Sequence, residues 1–406
     1  MTGEPPIALE EAQARLLALA EPLAAQRVDA DAALGYYLAE PLRARRTQPM
    51  AALSAMDGYA VTAGDLAGPW RVVGESAAGH PFTGTFQPGE AIRISTGAIL
   101  PEPASAVILQ EDLALDAGLI TLTGDGPSPP GKHIRTRGLD FFDGDEVLTA
   151  GAMLGPAQIA LALSAGHKKV TVRRVPKVLV MDSGDELAAD PEACAPHQIP
   201  ASNGVMLAAM AKALPCDVRR IGPVPDTMEA LAAAFATADD ADVIVTSGGA
   251  SVGDHDLVKP ALEAWGASLG FWRVAIKPGK PILVATREHQ GSRQIVLGLP
   301  GNPVSSHVTA FFFLLPLLRS LLGAGHPFAQ PVTAALKTPL AANGGRRAFL
   351  RASWDGRGLI PHTLQDSSAL TSLAASNVLI DRPANAPACE VGEIVSIYPL
   401  SAAVTA

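Results

Sequence analysis

The hydrophobic pattern of this chain changes rhythm several times. Between residues 7 and 26, Leu9, Leu16 and Leu23 recur every seven positions, with Glu10 and Glu11 near the start. That spacing predicts an amphipathic helix, and carboxylates suit the positive end of its dipole. From about 51 to 138 the period gives way to short apolar runs at 70–73, 91–94, 106–109 and 119–122, separated by Gly and Pro clusters. Such punctuation predicts β structure with tight turns. A helix is predicted again over 155–165, where Pro156 suits a first-turn position.

The rhythm then becomes one of alternation. Strand-like runs at 177–181, 218–221, 242–246, 281–285 and 294–297 are interleaved at first with helix-like stretches at 204–213, 227–237 and 257–265. Alternation of this kind predicts a parallel α/β sheet, which binds ligands at the carboxyl ends of its strands. The most apolar run, 310–318, includes Phe311, Phe312 and Phe313. It is broken by Pro316 and closed by Arg319, short of the roughly 20 residues that span a bilayer, so it reads as a buried core helix. After Pro327 the helical signal stops, and runs at 349–354, 378–380 and 394–398 predict a small barrel or sandwich. The fold class is therefore α/β plus β, in several domains.

Composition narrows the function. A chain of 406 residues is too long for one core. The net charge of -9 argues against a nucleic-acid partner, although a few cations can still make a positive pocket. Three cysteines, Cys194, Cys216 and Cys389, form no CxxC pair and read as free thiols in a reducing compartment. No basic, apolar leader opens the N-terminus, so the expectation is a cytoplasmic protein with no membrane partner.

Several segments could carry chemistry. Ser54-Ala55-Met56-Asp57-Gly58-Tyr59-Ala60 and Ile94-Ser95-Thr96-Gly97 are, taken singly, compatible with turns. Met181-Asp182-Ser183-Gly184-Asp185-Glu186-Leu187 sets a hydroxyl and carboxylates directly after a strand. There, free N–H groups can receive an anion and the acids can hold a cation. Thr246-Ser247-Gly248-Gly249-Ala250-Ser251-Val252-Gly253, ending in Asp254-His255-Asp256, offers a backbone nest for phosphate. It is neither a P-loop nor a dinucleotide fingerprint. Acids beside such a nest would repel an anion unless a divalent metal lay between them, which argues for Mg²⁺. Arg273, Lys277 and Lys280 fall within Phe271-Trp272-Arg273-Val274-Ala275-Ile276-Lys277-Pro278-Gly279-Lys280-Pro281, a cation density suited to an oxyanion. Gly298-Leu299-Pro300-Gly301-Asn302-Pro303-Val304-Ser305 adds a rigid turn and a hydroxyl. No Ser–His–Asp or HExxH pattern occurs among the nine histidines.

In order and spacing these segments resemble the molybdopterin molybdenumtransferase family (the MoeA family and the C-terminal domain of gephyrin). The resemblance implies a helical linking domain from 1–50 and 139–175, an inserted β-rich domain at 51–138, an α/β molybdopterin-binding domain at 176–326 and a C-terminal β-barrel at 327–406. It also implies a homodimer with its site between subunits. The implied reaction takes adenylylated molybdopterin and molybdate, uses Mg²⁺ and releases AMP, and the adenylylating enzyme of the same pathway is an implied partner.

Roles follow by resemblance alone. Asp57, Glu186, Asp226, Asp256 and Lys277 are the implied catalytic groups, with Glu186 and Asp256 on the metal. Thr96, Asp140, Ser183, Ser247, Gly248, Gly249, Ser251, Gly253 and Arg273 are implied to contact substrate. Lys280, Ser305, Arg351 and Ser367 look like the molybdate pocket. The chain departs from the family pattern at Leu53, Leu139 and Arg273. Two other readings remain open on sequence: an adenylyltransferase acting one step earlier, which the extra β domains and the KPGKP block disfavour, and a catalytically quiet scaffold, which the intact carboxylates disfavour.

Overall fold

The computed structural model describes residues 5–62, 64–248 and 257–400. Gly249, Ser251, Gly253 and Asp256 therefore lie outside the described residues.

The helix expected over 7–26 spans only Leu9–Leu17. Pro22 pushes the residue before it out of helical geometry, and the chain turns to the strand Ala25–Asp29. Leu9, Ala12 and Leu16 are buried against the α/β core beside Val178 and Phe313, and Leu23 packs on the same cluster from outside the helix. The strand Ala25–Asp29 pairs antiparallel with Lys169–Arg173. Its inward Val28 joins Val170, Val172, Leu38 and Leu154 in a small separate core, which the helix Pro156–Ser164 covers.

Residues 53–135 form a second unit around a six-stranded sheet. Trp70, Ile108 and Ile120 fill one side of it and Ile92, Ile94 and Phe86 the other.

The α/β unit is built on six strands: β1 Lys177–Ser183, β2 Asp217–Val224, β3 Val243–Ser247, β4 Ser268–Arg273, β5 Pro281–His289 and β6 Ser292–Leu299. Their order is β2-β1-β3-β6-β5-β4. The first four are parallel, with helices Asn203–Lys212 and Met228–Ala236 between β1 and β3. The wholly parallel sheet expected from sequence is mixed instead, because β5 runs antiparallel to both β6 and β4. The reason is local. Gln290 and Gly291 both have positive φ, and this two-residue turn joins β5 to β6 as a hairpin, leaving no room for a crossover helix.

The Phe-rich run belongs to a longer continuous helix, Pro303–Leu321, of 19 residues. By length and composition it could cross a membrane, but 78% of its apolar window is buried in the fold. Its middle, Ala310–Leu314, widens into a π-turn. There Phe312 lies tilted against Phe349 with ring centroids 4.2 Å apart and meets Tyr398 edge-on at 5.0 Å. These rings seal the helix to the C-terminal sheet, and each such pair contributes about 1 kcal/mol beyond its buried area.

That C-terminal sheet has six strands. Strand Arg347–Trp354 pairs with Val378–Arg382, and Ile394–Pro399 bridges Val378–Arg382 to Val332–Ala335. Its two sides approach through a single parallel bridge between Leu336 and Leu359. Helix does not stop at Pro327, since Leu370–Ala374 forms one further turn.

Candidate active site

Carboxyl-terminal strand ends, the helix start at Pro303 and a loop of the C-terminal sheet converge on two adjoining cavities. The larger is a cleft of about 910 Å³. Lys277, Lys280 and Arg346 bring cations to it, and Ser305 and Ser367 bring hydroxyls. The second cavity, about 460 Å³, is lined by Ser183, Glu186, Asn203 and Ser247. Gly248, Gly301 and Asn302 belong to both walls, so the two form one continuous site.

Packing fixes the cationic end. Gly279 adopts φ +100, and a Cβ there would lie 2.5 Å from Thr309 Cγ2. Glycine thus lets the Lys277–Lys280 turn press against the helix that carries Ser305. The Ser367 carbonyl accepts the Val304 N–H at 3.0 Å, tying the facing loop to the same helix.

The second cavity is organised by Asp182, at the end of β1 and 1% exposed. Its Oδ1 accepts the Gly204 N–H at 2.8 Å, and Arg220 lies 3.6 Å from Oδ2. Burial pushes its carboxyl above the usual range, against the pull of Gly204 and Arg220. Close by, Asp185 Oδ1 accepts the Asp226 N–H at 3.1 Å, so two loops that follow neighbouring strands are joined beside Glu186.

Other residues singled out in sequence lie elsewhere. Asp57 and Thr96 form a unit in the β-rich region: the Thr96 N–H and hydroxyl both donate to Asp57 Oδ1, at 2.6 and 2.9 Å. These bonds, the backbone one foremost, hold the exposed Asp57 carboxyl below its ordinary range. Asp140 is exposed, with its N–H on the Gln48 carbonyl at 3.0 Å. Neither unit lines the two cavities. Arg273 ends β4 opposite Pro281, and its carbonyl accepts the Ile7 N–H.

Arg351 is placed behind the cleft wall. It is 1% exposed and donates to the carbonyls of Leu364 and Asp366, both at 2.9 Å, and to Ser372 Oγ at 2.8 Å. With Gln365, which pairs with the Arg351 backbone in both directions, it pins the loop that presents Ser367. The C-terminal cation on the cleft itself is Arg346. Sequence reasoning passed over Arg346, Asn343, Gln365 and Asn203. The two adjacent arginines that follow Gly344-Gly345 were the available signal for the first.

Fold and site together define a multidomain α/β protein with a cation-lined cleft on the carboxyl edge of its sheet. Residues 7–166 match the MoeA N-terminal region (domain I and II), 179–320 a probable molybdopterin binding domain and 333–400 the MoeA C-terminal region (domain IV). The chain is 35% identical to a molybdopterin molybdenumtransferase of Haemophilus influenzae, over 86% of this chain and 87% of that one. It is 32% identical to one from Nostoc sp., over 92% and 88% respectively. A crystal structure of the molybdopterin biosynthesis MoeA protein from Pyrococcus horikoshii superposes with a TM-score of 0.83 at 26% identity, covering 97% of this chain and 100% of that one. This chain belongs to the MoeA family of molybdopterin molybdenumtransferases.

Proposed function

We propose that this cytoplasmic enzyme inserts molybdenum in molybdenum cofactor biosynthesis, transferring molybdate to adenylylated molybdopterin with Mg²⁺ and releasing AMP. The observation that carries the reading is the continuous double cavity, cationic at one end and acidic at the other. Molybdate is a dianion with oxygen acceptors only. Lys277, Lys280 and Arg346 would meet it with charge-assisted hydrogen bonds, and the Ser305 and Ser367 hydroxyls would complete its shell. The strand-end hydroxyls of Ser183 and Ser247 and the Gly248 turn would hold the pterin and its phosphates.

Among the described residues no three acids, histidines or cysteines gather into a metal cage. Mg²⁺ needs only one or two carboxylates when substrate phosphates supply further oxygens, so the hard donors here fit it. Glu186, with Asp256 from outside the described residues, would hold the ion, with Asp226 close by. Bound there, it would neutralise phosphate charge that the carboxylates repel. Lys277 and Lys280, on the wall of the larger cavity, would stabilise negative charge developing on the anhydride oxygens.

The exposed Asp57–Thr96 unit and Asp140 present ordered polar groups away from the two cavities, which supports a homodimer in which one copy completes the site of the other. The domain division expected from the resemblance belongs to this proposal, with the helix Leu9–Leu17 packed on the α/β unit. The test is AMP release from adenylylated molybdopterin by the purified chain. Release that needs both molybdate and Mg²⁺, with molybdenum retained on the pterin, is expected; intact nucleotide under all conditions would refute the reading.

A further inference from the structure

A second cation-lined cavity lies in the small N-terminal core, outside the cleft already described. It measures about 440 Å³ and sits between the ribbon Ala25–Asp29/Lys169–Arg173 and the segment 38–45. Strand alternation builds its wall. Val28, Val170 and Val172 turn into the core, so Arg27, cross-strand from Thr171, stays on the opposite face with Lys169.

The other wall is fixed by a buried histidine. His167, 6% exposed, has Nε2 2.7 Å from the Arg43 carbonyl. The turn that allows this passes through Gly166 at φ +92, where a Cβ would sit 3.3 Å from the Cβ of Arg45. The backbone that carries Arg43 and Arg45 is therefore held against the ribbon.

The charge balance is what points to a ligand. Arg43 is paired with Glu146 at 3.0 Å and Lys169 with Asp29 at 3.1 Å. The Arg27 and Arg45 guanidinium groups make no hydrogen bond or ion pair with any described residue. Some surface arginines elsewhere in this acidic chain find carboxylates, as Arg71 does with Glu90 and Arg293 with Glu288, whereas Arg46, Arg135 and Arg357 find none among the described residues; what sets Arg27 and Arg45 apart is that both line one cavity. Among the described residues Lys277 and Lys280 on the cleft also lack an ion pair, so in this respect the second cavity is like the proposed oxyanion site. Glu40 is the one acid on its wall, outnumbered by the cations.

We propose that this cavity is a binding site for a small phosphate-bearing ligand, held between the Arg27 and Arg45 guanidinium groups, with the Thr171 hydroxyl within the same wall. Guanidinium forks match the geometry of a tetrahedral oxyanion, and two of them converging on one cavity provide charge and direction together. The site is independent of the proposed reaction.

The experiment is calorimetric titration of the full chain carrying Lys277→Gln, Lys280→Gln and Arg346→Gln, which removes the three cations on the cleft wall, with inorganic phosphate and separately with AMP. Binding in the millimolar range or tighter is expected, on the order of a tenfold or greater loss following Arg27→Gln or Arg45→Gln. AMP binding more tightly than phosphate would identify a phosphorylated metabolite, and equal affinities a free oxyanion. Circular dichroism checks the fold, and both substituted arginines are exposed. In the otherwise native chain, Arg27→Gln and Arg45→Gln leave turnover unchanged. Absence of binding, or binding indifferent to both substitutions, would overturn the proposal. So would a change of oligomeric state in Arg27→Gln without any phosphate binding, which would assign these cations to a second copy of the chain.

Discussion

The cleft at Lys277–Lys280 and the Asp57–Thr96 corner are both polar, both glycine-flanked and both part of the same family resemblance, yet they are built in opposite ways. The cleft is concave and assembled from distant segments: a turn before β5, the start of the Pro303–Leu321 helix and a loop of the C-terminal sheet. Among the described residues its cations make no ion pair, so an incoming anion can supply the missing charge. The corner is exposed and built on two neighbouring strands. Asp57 already has its donors in Thr96, two residues whose strands are sheet neighbours. Concavity with unpaired charge makes a binding site by itself. An exposed, satisfied acid outside the cleft contributes to chemistry only when another surface is brought to it.

The largest expected effect comes from removing charge on the concave side. Lys280→Gln lowers molybdate-dependent AMP release by roughly a hundredfold, since a preorganised cation on an anionic reaction is lost. Steady-state rates at several molybdate concentrations would show it; an unchanged rate would deny the cleft its role. On the exposed corner, Asp57→Asn lowers turnover by about tenfold or more while the thermal midpoint stays put. The comparison sharpens when the two variants are mixed. If the corner serves a partner's cleft, Lys280→Gln and Asp57→Asn chains together regain activity that neither has alone, and a mixture no better than its components would place both regions on one copy.

Arg351→Met should cost about 3 kcal/mol of stability, because the carbonyls of Leu364 and Asp366 lose a buried charged donor. Urea unfolding measures it, and a loss within error would mean that the loop holds itself. An effect of at most similar size is one of pH. His307 stands two residues beyond Ser305, its Nδ1 shut from solvent without a partner, and burial lowers its pKa to about 4. An unfolded histidine, at its ordinary value of about 6.5, takes up a proton first as pH falls. Stability therefore drops between about pH 6.5 and 4, by about 3 kcal/mol at most, and flattens below. His307→Gln should abolish that part of the slope in urea titrations at each pH, and a slope that persists would assign it to other groups.

How much of this was legible beforehand follows from how local each feature is. Strands β1, β2 and β3 and the helices between them lay within a few residues of the hydrophobic pattern, because alternation and helical period are properties of neighbouring positions. The hairpin of β5 and β6 looked like two more parallel strands, since an apolar run carries no arrow. The helix start at Leu9 was visible; its early end at Leu17 was not, because Leu23 keeps the heptad while packing from an extended segment. Arg351 illustrates the same limit in the site. The alternation of its strand places it facing inward, but whether that means the cleft or the loop behind it depends on where residues 364–372 fold back.

By itself the sequence determined the residue types available for an oxyanion and a hard cation, the separation into α/β and β-rich regions, and the membership of the family, because these rest on composition, period and ordered motifs. Only the tertiary structure decided which cations face the cleft, that Arg346 does and Arg351 does not, and that Asp57 stands apart. Those outcomes depend on the packing of segments far apart in the chain, where the Phe312–Phe349–Tyr398 contacts set how the C-terminal sheet meets the helix. Side-chain direction at that junction is a property of the assembled core, and no stretch of sequence holds it alone.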